Sequence, residues 1–298
     1  MGHVGEQWYA ELDGLVAEFE QRWNIIVGDE LGGGTHAFVA EATTRDGQAV
    51  VLKIALPKMK GSATGTATQE IEVLLAGQGR GYVTVFAHDT DHRALLMERL
   101  GADLEDTVPD VDDQIEIICS TLCPGAPPPT GLHLTTGAEK ALWLHRFVED
   151  EWNSLGRPCS EAAVRQAQAF ADQRAAAHEV ASAVLVHGDA HESNLLLAAD
   201  GSYRLIDPDP MVAEPAVDLS VPIRGWNAAL RAGRDPAAAA VARCRRISQL
   251  TGVDPQAIWE WGFMERLSTA LYTQSVGTAW WPRDAFPVVE ACVGVTSV

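Results

Sequence analysis

Positive charge is what this sequence has least of. Its 22 Lys and Arg residues stand against 41 Asp and Glu, a formal net charge of −19. A nucleic-acid surface needs basic residues to displace counterions from phosphates, so this balance argues against nucleic acid as the main partner. Long apolar runs are missing too. No stretch approaches the roughly 18 apolar residues that a membrane-crossing helix takes. Cysteine is thin and scattered, five residues at positions 119, 123, 159, 244 and 292. Only Cys119 and Cys123 lie close together, and no metal-ligand partners stand beside them. An odd count fits reduced thiols. The opening residues, MGHVGEQWYAELDGLVAEFEQRW, lack the basic and apolar regions of a secretory leader. Internal repeats and low-complexity segments are also absent. These absences together point to a cytoplasmic globular protein without membrane or nucleic-acid partners, as a monomer or weak dimer.

What is present has two textures. Trp8, Leu12, Leu15, Phe19 and Trp23 recur at spacings of three and four, which predicts an amphipathic helix over 6–23. Residues 24–57 turn to alternating and β-branched types broken by GGG and RDGQ, which reads as three antiparallel strands. The connector KGSATGTAT leads into a helix at QEIEVLLAGQG, and YVTVFAHDTDHRALLMERL supplies two more strands. Beyond Gly101 the pattern is helical, with helices expected at DVDDQIEIICSTLCPG, TTGAEKALWLHRFVEDEWNSLG and CSEAAVRQAQAFADQRAAAHEVAS. A proline-rich loop, PGAPPPTG, stops the first of them. Two short apolar runs, AVLVH and YRLID, flank a polar stretch and are expected to pair as a hairpin. Trp259, Trp261, Trp280 and Trp281 are read as packing residues of the alanine-rich remainder. The expectation is an α+β, bilobal architecture. Residues 1–100 form a small lobe of one N-terminal helix, a five-stranded antiparallel sheet and one further helix, and residues 101–298 form a mostly helical lobe.

Four features occur in the order that phosphoryl transfer uses. LGGGTHAFV, with Gly33 and Gly34, sits at a turn between strands, where glycine backbone can approach an anion closely. Lys53 stands inside the apolar strand VVLKIA and, if buried, requires a counter-charge. Glu70 and Glu72 lie on the next helix and only one can face the sheet; Glu70, beside Ile71, Leu74 and Leu75, is preferred. HGDAHESN then places Asp189 to accept a proton from a hydroxyl. Asn194 and, after thirteen residues, Asp207 in LIDPD supply oxygen donors of the kind Mg²⁺ favours. Each feature alone has an ordinary structural explanation, as a hairpin turn, a solvent-facing lysine or a polar loop. The ordered set does not.

VHGDAHESN followed by LIDPD resembles the catalytic core of the aminoglycoside phosphotransferases, relatives of the protein kinases in which HGDxxxxN replaces HRDxxxxN. The form IDPD, with GRGYVTVFAHDTDHRALLMERL upstream, is similar to the streptomycin phosphotransferase and hydroxyurea kinase branch. The likeness runs from about residue 31 to 281. It implies a protein-kinase-like fold using ATP or GTP with Mg²⁺. It also implies Asp189 as catalytic base, Asn194 and Asp207 as metal ligands, and Lys53, paired with Glu70, on the nucleotide phosphates. Glu98 and Leu100 in LLMERL would bind the adenine edge through their backbone. His187 would hold the loop, His191 would face either solvent or substrate, and Asp218, in a Glu214…Asp218 pattern, would brace the loop.

A streptomycin-like aminocyclitol carries several positive charges, so its pocket should be acidic, and Asp209, Glu260 and Glu265 are the candidates. The charge of −19 suits such a ligand, because a cleft lined by one sign of charge gathers the other; solubility or adaptation to salt explains it equally well. The alternatives are kinase action on another small hydroxylated metabolite or sugar, and a pseudokinase that binds nucleotide without turnover.

Overall fold

The structure, a computed structural model, describes residues 3–32, 37–57, 67–122, 133–278 and 280–298. In chain order it begins with α1 (His3–Trp23), β1 (Ile25–Glu30), β2 (Ala37–Thr44), β3 (Ala49–Ala55), α2 (Ala67–Gly77), β4 (Val85–Asp89) and β5 (Ala94–Glu98). There follow α3 (Leu104–Thr107), α4 (Val111–Thr121), β6 (Thr135–Thr136), α5 (Gly137–Ser154), α6 (Glu161–Ala177) and β7 (Val184–Val186). A 3₁₀ turn (Glu192–Asn194) leads to β8 (Leu195–Leu197), β9 (Tyr203–Leu205) and β10 (Met211–Ala213). The chain finishes with α7 (Ala216–Arg224), α8 (Asn227–Ala232), α9 (Pro236–Thr251), α10 (Pro255–Ser275) and α11 (Trp280–Ala291). The turn at Gly33 and Gly34, the connector 58–66, the proline-rich loop and the side chain of Trp280 lie outside the described residues.

Two compact units emerge: Met1–Leu104 with Asn194–Asp209, and Glu105–Ser193 with Pro210–Val298. The short β8–β9 segment therefore groups with the first unit, although a continuous division at residue 100 leaves it in the second.

In the first unit the five strands form an antiparallel sheet of order β1-β2-β3-β5-β4. Successive side chains of a strand point to opposite faces, so β3 serves two cores at once. Leu52 and Ile54 pack with Trp8, Leu12 and Phe19 of α1. Val51, with Leu95 and Met97 of β5, packs with Ile71 and Leu74 of α2. Both faces are covered, which is why β3 is apolar at nearly every position. Lys53 shares its face with Val51 and is thereby delivered to the α2 side.

The hairpin expected between AVLVH and YRLID forms differently. β8 pairs with β9 in the register Leu195↔Leu205 across the turn that holds Gly201 (φ +81°). β7 instead pairs antiparallel with β10, and β10 runs parallel to β6. The physical reason is loop length: strands joined by a few turn residues close with the least entropy lost, and β8, read as polar loop, supplies the nearer partner.

In the second unit a helical core surrounds α10, whose residues from Ala257 to Ser268 are all buried. Trp259 and Trp261 are 0% and 1% exposed and serve as packing residues, as their sequence context suggests. Phe263 meets Phe170 of α6 edge to face, with ring centroids 5.7 Å apart. Gly262 lets α7 come close, since a Cβ there would lie 2.6 Å from Ile223 Cβ. α7 is itself buried from Ala216 to Ile223, so these two helices meet along interior faces and form the floor on which the polar loop rests.

Candidate active site

The first unit assembles a cation between two acids. Lys53 Nζ donates to Glu70 Oε1 at 2.5 Å and to Asp207 Oδ1 at 2.7 Å. Lys53 is 7% exposed, and burial alone would push it toward the neutral amine. The two carboxylates outweigh that penalty and hold its pKa above the ordinary lysine value. Glu70, rather than Glu72, makes the contact because it follows the α2 face that also buries Ile71 and Leu74.

The β8–β9 hairpin brings two oxygen donors to one end. Leu195 opposes Leu205, and the Asn194 carbonyl accepts from the Ile206 N–H at 3.0 Å, so Asn194 and Asp207 flank the open end of the ladder. Asp207 has φ +55°, a conformation that non-glycine residues adopt at a cost and that clusters at functional sites. Its side chain keeps half of its surface exposed. An amide and a carboxylate oxygen are the donor set Mg²⁺ takes when phosphates and water complete its shell. Among the described residues, no group of three or more His, Cys, Asp or Glu could hold a metal by itself.

At the adenine-edge candidates, the Glu98 N–H donates to the Thr84 carbonyl at 2.9 Å and the Glu98 carboxylate accepts from the Thr84 N–H at 2.7 Å. These two bonds pin the end of β5. Leu100 is buried among the α2-side core residues.

The second unit holds the loop after β7. Asp218, in the first turn of α7, accepts the N–H of His187 at 2.8 Å and of Gly188 at 2.7 Å, one on each carboxylate oxygen. Gly188 stands at φ +84°, where a side chain would be strained. Burial pushes the Asp218 carboxyl up to about 6, with the Asp189 charge adding to the effect and the two backbone donors opposing it. His187 is fully buried, and its Nδ1 accepts the Asp189 N–H at 3.2 Å. His191 Nδ1 accepts the Ser193 N–H at 3.2 Å, while its Nε2 lies 3.6 Å from Asp189 Oδ2. His191 thus completes the turn and stands beside the carboxylate. Glu214 accepts from Trp261 Nε1 at 2.8 Å and pairs with Arg174 at 3.3 Å, which makes it a brace within the helical core.

One partner of Asp189 has no counterpart in the sequence reading. Arg224, the last residue of α7, donates from a terminal guanidinium nitrogen to Asp189 Oδ1. Burial would raise the Asp189 carboxyl, but the Arg224 charge, aided by His191 and His187, holds it at about 2. The signal that could have revealed Arg224 is faint: a lone cation ending the mostly apolar run AVDLSVPIR.

The acidic-pocket candidates fare unevenly. Glu260 is 2% exposed, 2.6 Å from Arg174 and hydrogen-bonded to Gln256 at 2.7 Å. Glu265 is 8% exposed and lies 3.3 Å from Lys140 and 3.7 Å from Arg224. Both carboxylates are interior groups matched by cations, because α10 is buried around its whole circumference and an acid there needs a counter-charge. Both are engaged in ion pairs within the helical unit. Asp209 is half-buried at the end of the first unit's second segment.

A five-stranded sheet bearing a lysine–glutamate pair, an Asn and Asp at a hairpin mouth, and an aspartate on a braced HGD loop define the class of protein-kinase-like phosphotransferases. Residues 22–277 match the family of aminoglycoside/hydroxyurea antibiotic resistance kinases, and the chain belongs to that family. A streptomycin 6-kinase of Streptomyces glaucescens is 26% identical over 308 residues, spanning 98% of this chain and 93% of its own length. A streptomycin 6-kinase of Streptomyces griseus is 29% identical over 234 residues, 76% of this chain and 71% of its own. Among solved structures, a spectinomycin phosphotransferase in complex with ADP and spectinomycin superposes with a TM-score of 0.54 at 14% identity, covering 95% of this chain and 97% of that one. That last likeness speaks for the fold. The α+β kinase-like architecture and phosphoryl transfer to a hydroxyl group are therefore properties of this chain.

Proposed function

We propose that the protein transfers the γ-phosphoryl group of ATP or GTP, with Mg²⁺, to a hydroxyl of a streptomycin-like aminoglycoside, and so inactivates the antibiotic in the cytoplasm. The observation that carries the reading is Lys53 bonded at once to Glu70 and Asp207, residues 17 and 154 positions away in sequence. A strand lysine tied to a helix acid and to a metal-type aspartate serves to orient nucleotide phosphates, and it has little value as a stability device.

In this reading Lys53, kept charged by its carboxylates, contacts the α and β phosphates, and Glu70 sets its direction. Asn194 and Asp207 would hold Mg²⁺, which would supply neutralisation of charge on the phosphates. Gly33 and Gly34 cover the phosphates, and the backbone at Glu98 and Leu100 meets the adenine edge. Asp189 orients the acceptor hydroxyl and takes its proton as the bond to phosphorus forms; a carboxylate held ionised by Arg224 is ready to do so at any pH above the acid range. Asp218 and His187 keep the loop in shape. Catalysis of this kind is positioning and charge neutralisation, with no covalent enzyme intermediate. Asp209 remains the acid proposed to meet a cationic substrate. The two streptomycin 6-kinase relatives support that substrate class, and the ADP-bound spectinomycin phosphotransferase supports nucleotide use.

The test is nucleoside diphosphate release with Mg²⁺ and either ATP or GTP, with streptomycin, other aminoglycosides and simple sugars as acceptors. Turnover stimulated by streptomycin is expected, together with a loss of about 10²- to 10⁴-fold in kcat and unchanged nucleotide affinity for Asp189→Asn. Turnover only with a sugar would move the substrate class. Nucleotide binding without turnover on any acceptor would make the protein a nucleotide-dependent regulator.

A further inference from the structure

The C-terminal end of α7 is held more firmly than a helix end needs to be. The last carbonyls of a helix have no partners within it. Here four successive ones are capped by side chains from other elements. The Pro222 and Gly225 carbonyls accept from Arg243 at 3.3 and 3.1 Å. The Arg224 carbonyl accepts from the Asn227 side chain at 3.0 Å. The Ile223 carbonyl accepts from Arg266, whose Nε also donates to the Asn227 side-chain oxygen at 2.9 Å.

Arg266 is wholly buried, with carbonyl and amide oxygens as these partners, and burial pulls its pKa down to about 10. Arg243, lowered to about 10 by burial and by the Arg266 charge, also lies over the Trp226 ring, 5.4 Å from its centroid. Keeping one buried and one half-buried guanidinium group at one helix end is costly. The macrodipole there offsets part of that cost, since cations are favoured at a C-terminus.

What this cluster immobilises is the residue that reaches Asp189. From the deepest residues of α10, Gly262 admits Ile223, Glu265 lies 3.7 Å from the Arg224 guanidinium and Arg266 caps the preceding carbonyl. Lys140 approaches Glu265 from the other side at 3.3 Å. We infer that Arg224 is a positioning residue for the transfer reaction: held by Glu265 and the capped end of α7, it fixes the rotamer and the ionised state of the Asp189 carboxylate through Oδ1. The inference rests on the phosphotransferase reading of Asp189. The charged and titratable groups around this carboxylate are Arg224 on α7, His187 and His191 on its own loop, and Asp218 behind it; Glu192 and Glu265 act on Arg224 in turn.

Arg224 differs from an ordinary structural salt bridge in what its loss should move. Without its charge, burial is opposed only by His191 and His187, and Asp189 gains protons at higher pH. In the full-length protein, Arg224→Met is expected to lower kcat by about 10²-fold with the nucleotide KM unchanged. It should also raise the proton affinity of Asp189 by about tenfold or more, so that an acid limb enters the kcat/KM profile. The proton affinity is read directly from carboxyl ¹³C shifts of labelled aspartate, assigned by the signal missing in Asp189→Asn. Arg224→Lys, which keeps the charge, should recover at least about tenfold of the lost kcat. Glu265→Gln, which leaves Arg224 present but loosened, should shift both readouts in the same direction by less.

The ¹³C titration needs no turnover, so it separates two failures. A parent protein that phosphorylates nothing removes the functional reading while the titration still decides whether Arg224 governs the carboxylate. An active parent whose Asp189 titration and kcat are untouched in Arg224→Met overturns the inference. So does a variant in which kcat, nucleotide affinity and melting temperature fall together and Arg224→Lys restores none of them.

Discussion

At the scale of single residues, two carboxylates of one unit are kept in different states by their surroundings. Asp189 and Asp218 belong to neighbouring elements of one unit, yet their environments push them apart. Asp189 is held at about 2, the Arg224 charge overcoming burial. Asp218 is pushed up to about 6, chiefly by burial. The consequences for stability have opposite signs. Asp218 holds its proton in the folded chain where the unfolded chain has lost it, so its contribution is present below its ordinary 3.8 and lost as pH rises through about 6. Asp189 contributes above its ordinary 3.8 and loses that contribution as pH falls toward about 2. The melting temperature of Asp218→Asn should therefore fall less steeply than the parent's between about pH 4 and 6. Differential scanning calorimetry across that interval checks it, and parallel slopes would contradict the burial argument. The same variant should lose activity, because the His187 and Gly188 N–H groups each use a different carboxylate oxygen and the amide NH2 would face one of them.

Elements place these residues. β3 delivers Lys53 to the α2 face by simple alternation, and a hairpin of two three-residue strands sets Asn194 beside Asp207. The contact of α7 with α10 does the same for Arg224, and it depends on Gly262. A methyl group there would lie 2.6 Å from Ile223 Cβ and force the helices apart. Gly262→Ala is expected to cost about 1–3 kcal/mol in urea unfolding, as overpacked cores do. It should also lower kcat beyond what the lost stability explains, since Ile223 and Arg224 are adjacent. Full activity in a destabilised Gly262→Ala protein would show that the α7 end tolerates displacement. Much of this level could be read from the chain. The apolar, β-branched run VVLKIA and the periodicity of QEIEVLLAG predict both elements and favour Glu70. The partner of AVLVH could not be read, because two-residue and three-residue strands carry too little pattern to specify pairing.

For the molecule as a whole, the excess of negative charge is the property most open to test. If −19 reflects a cationic substrate as well as solubility, attraction should weaken as salt shortens the screening length. The KM for streptomycin should rise several-fold between about 0.02 and 0.5 M ionic strength, while the KM for a neutral hydroxyl acceptor stays level. Equal salt responses for charged and neutral acceptors would assign the charge to solubility alone. The two-unit division adds a second point at this scale. The chain passes from one unit to the other between Ser193 and Asn194, five residues after the proposed base. A single polar loop thus carries Asp189 in one unit and Asn194 in the other.

The sequence by itself determined the fold class and the ordered set of Lys53, Glu70, Asp189, Asn194 and Asp207. Those residues sit in short contiguous patterns whose spacing is enforced by backbone geometry, so they are legible one stretch at a time. Only the tertiary structure showed Glu260 and Glu265 in interior ion pairs and Arg224 against Asp189. Arg224 meets Asp189 across 35 residues of chain, and Arg243 and Arg266, which cap the carbonyls around it, come from two further helices. A cation at a helix end looks the same in sequence whether it points to water or to a carboxylate. Its meaning comes from burial, which removes water as a partner and leaves each charge dependent on the groups that packing brings beside it.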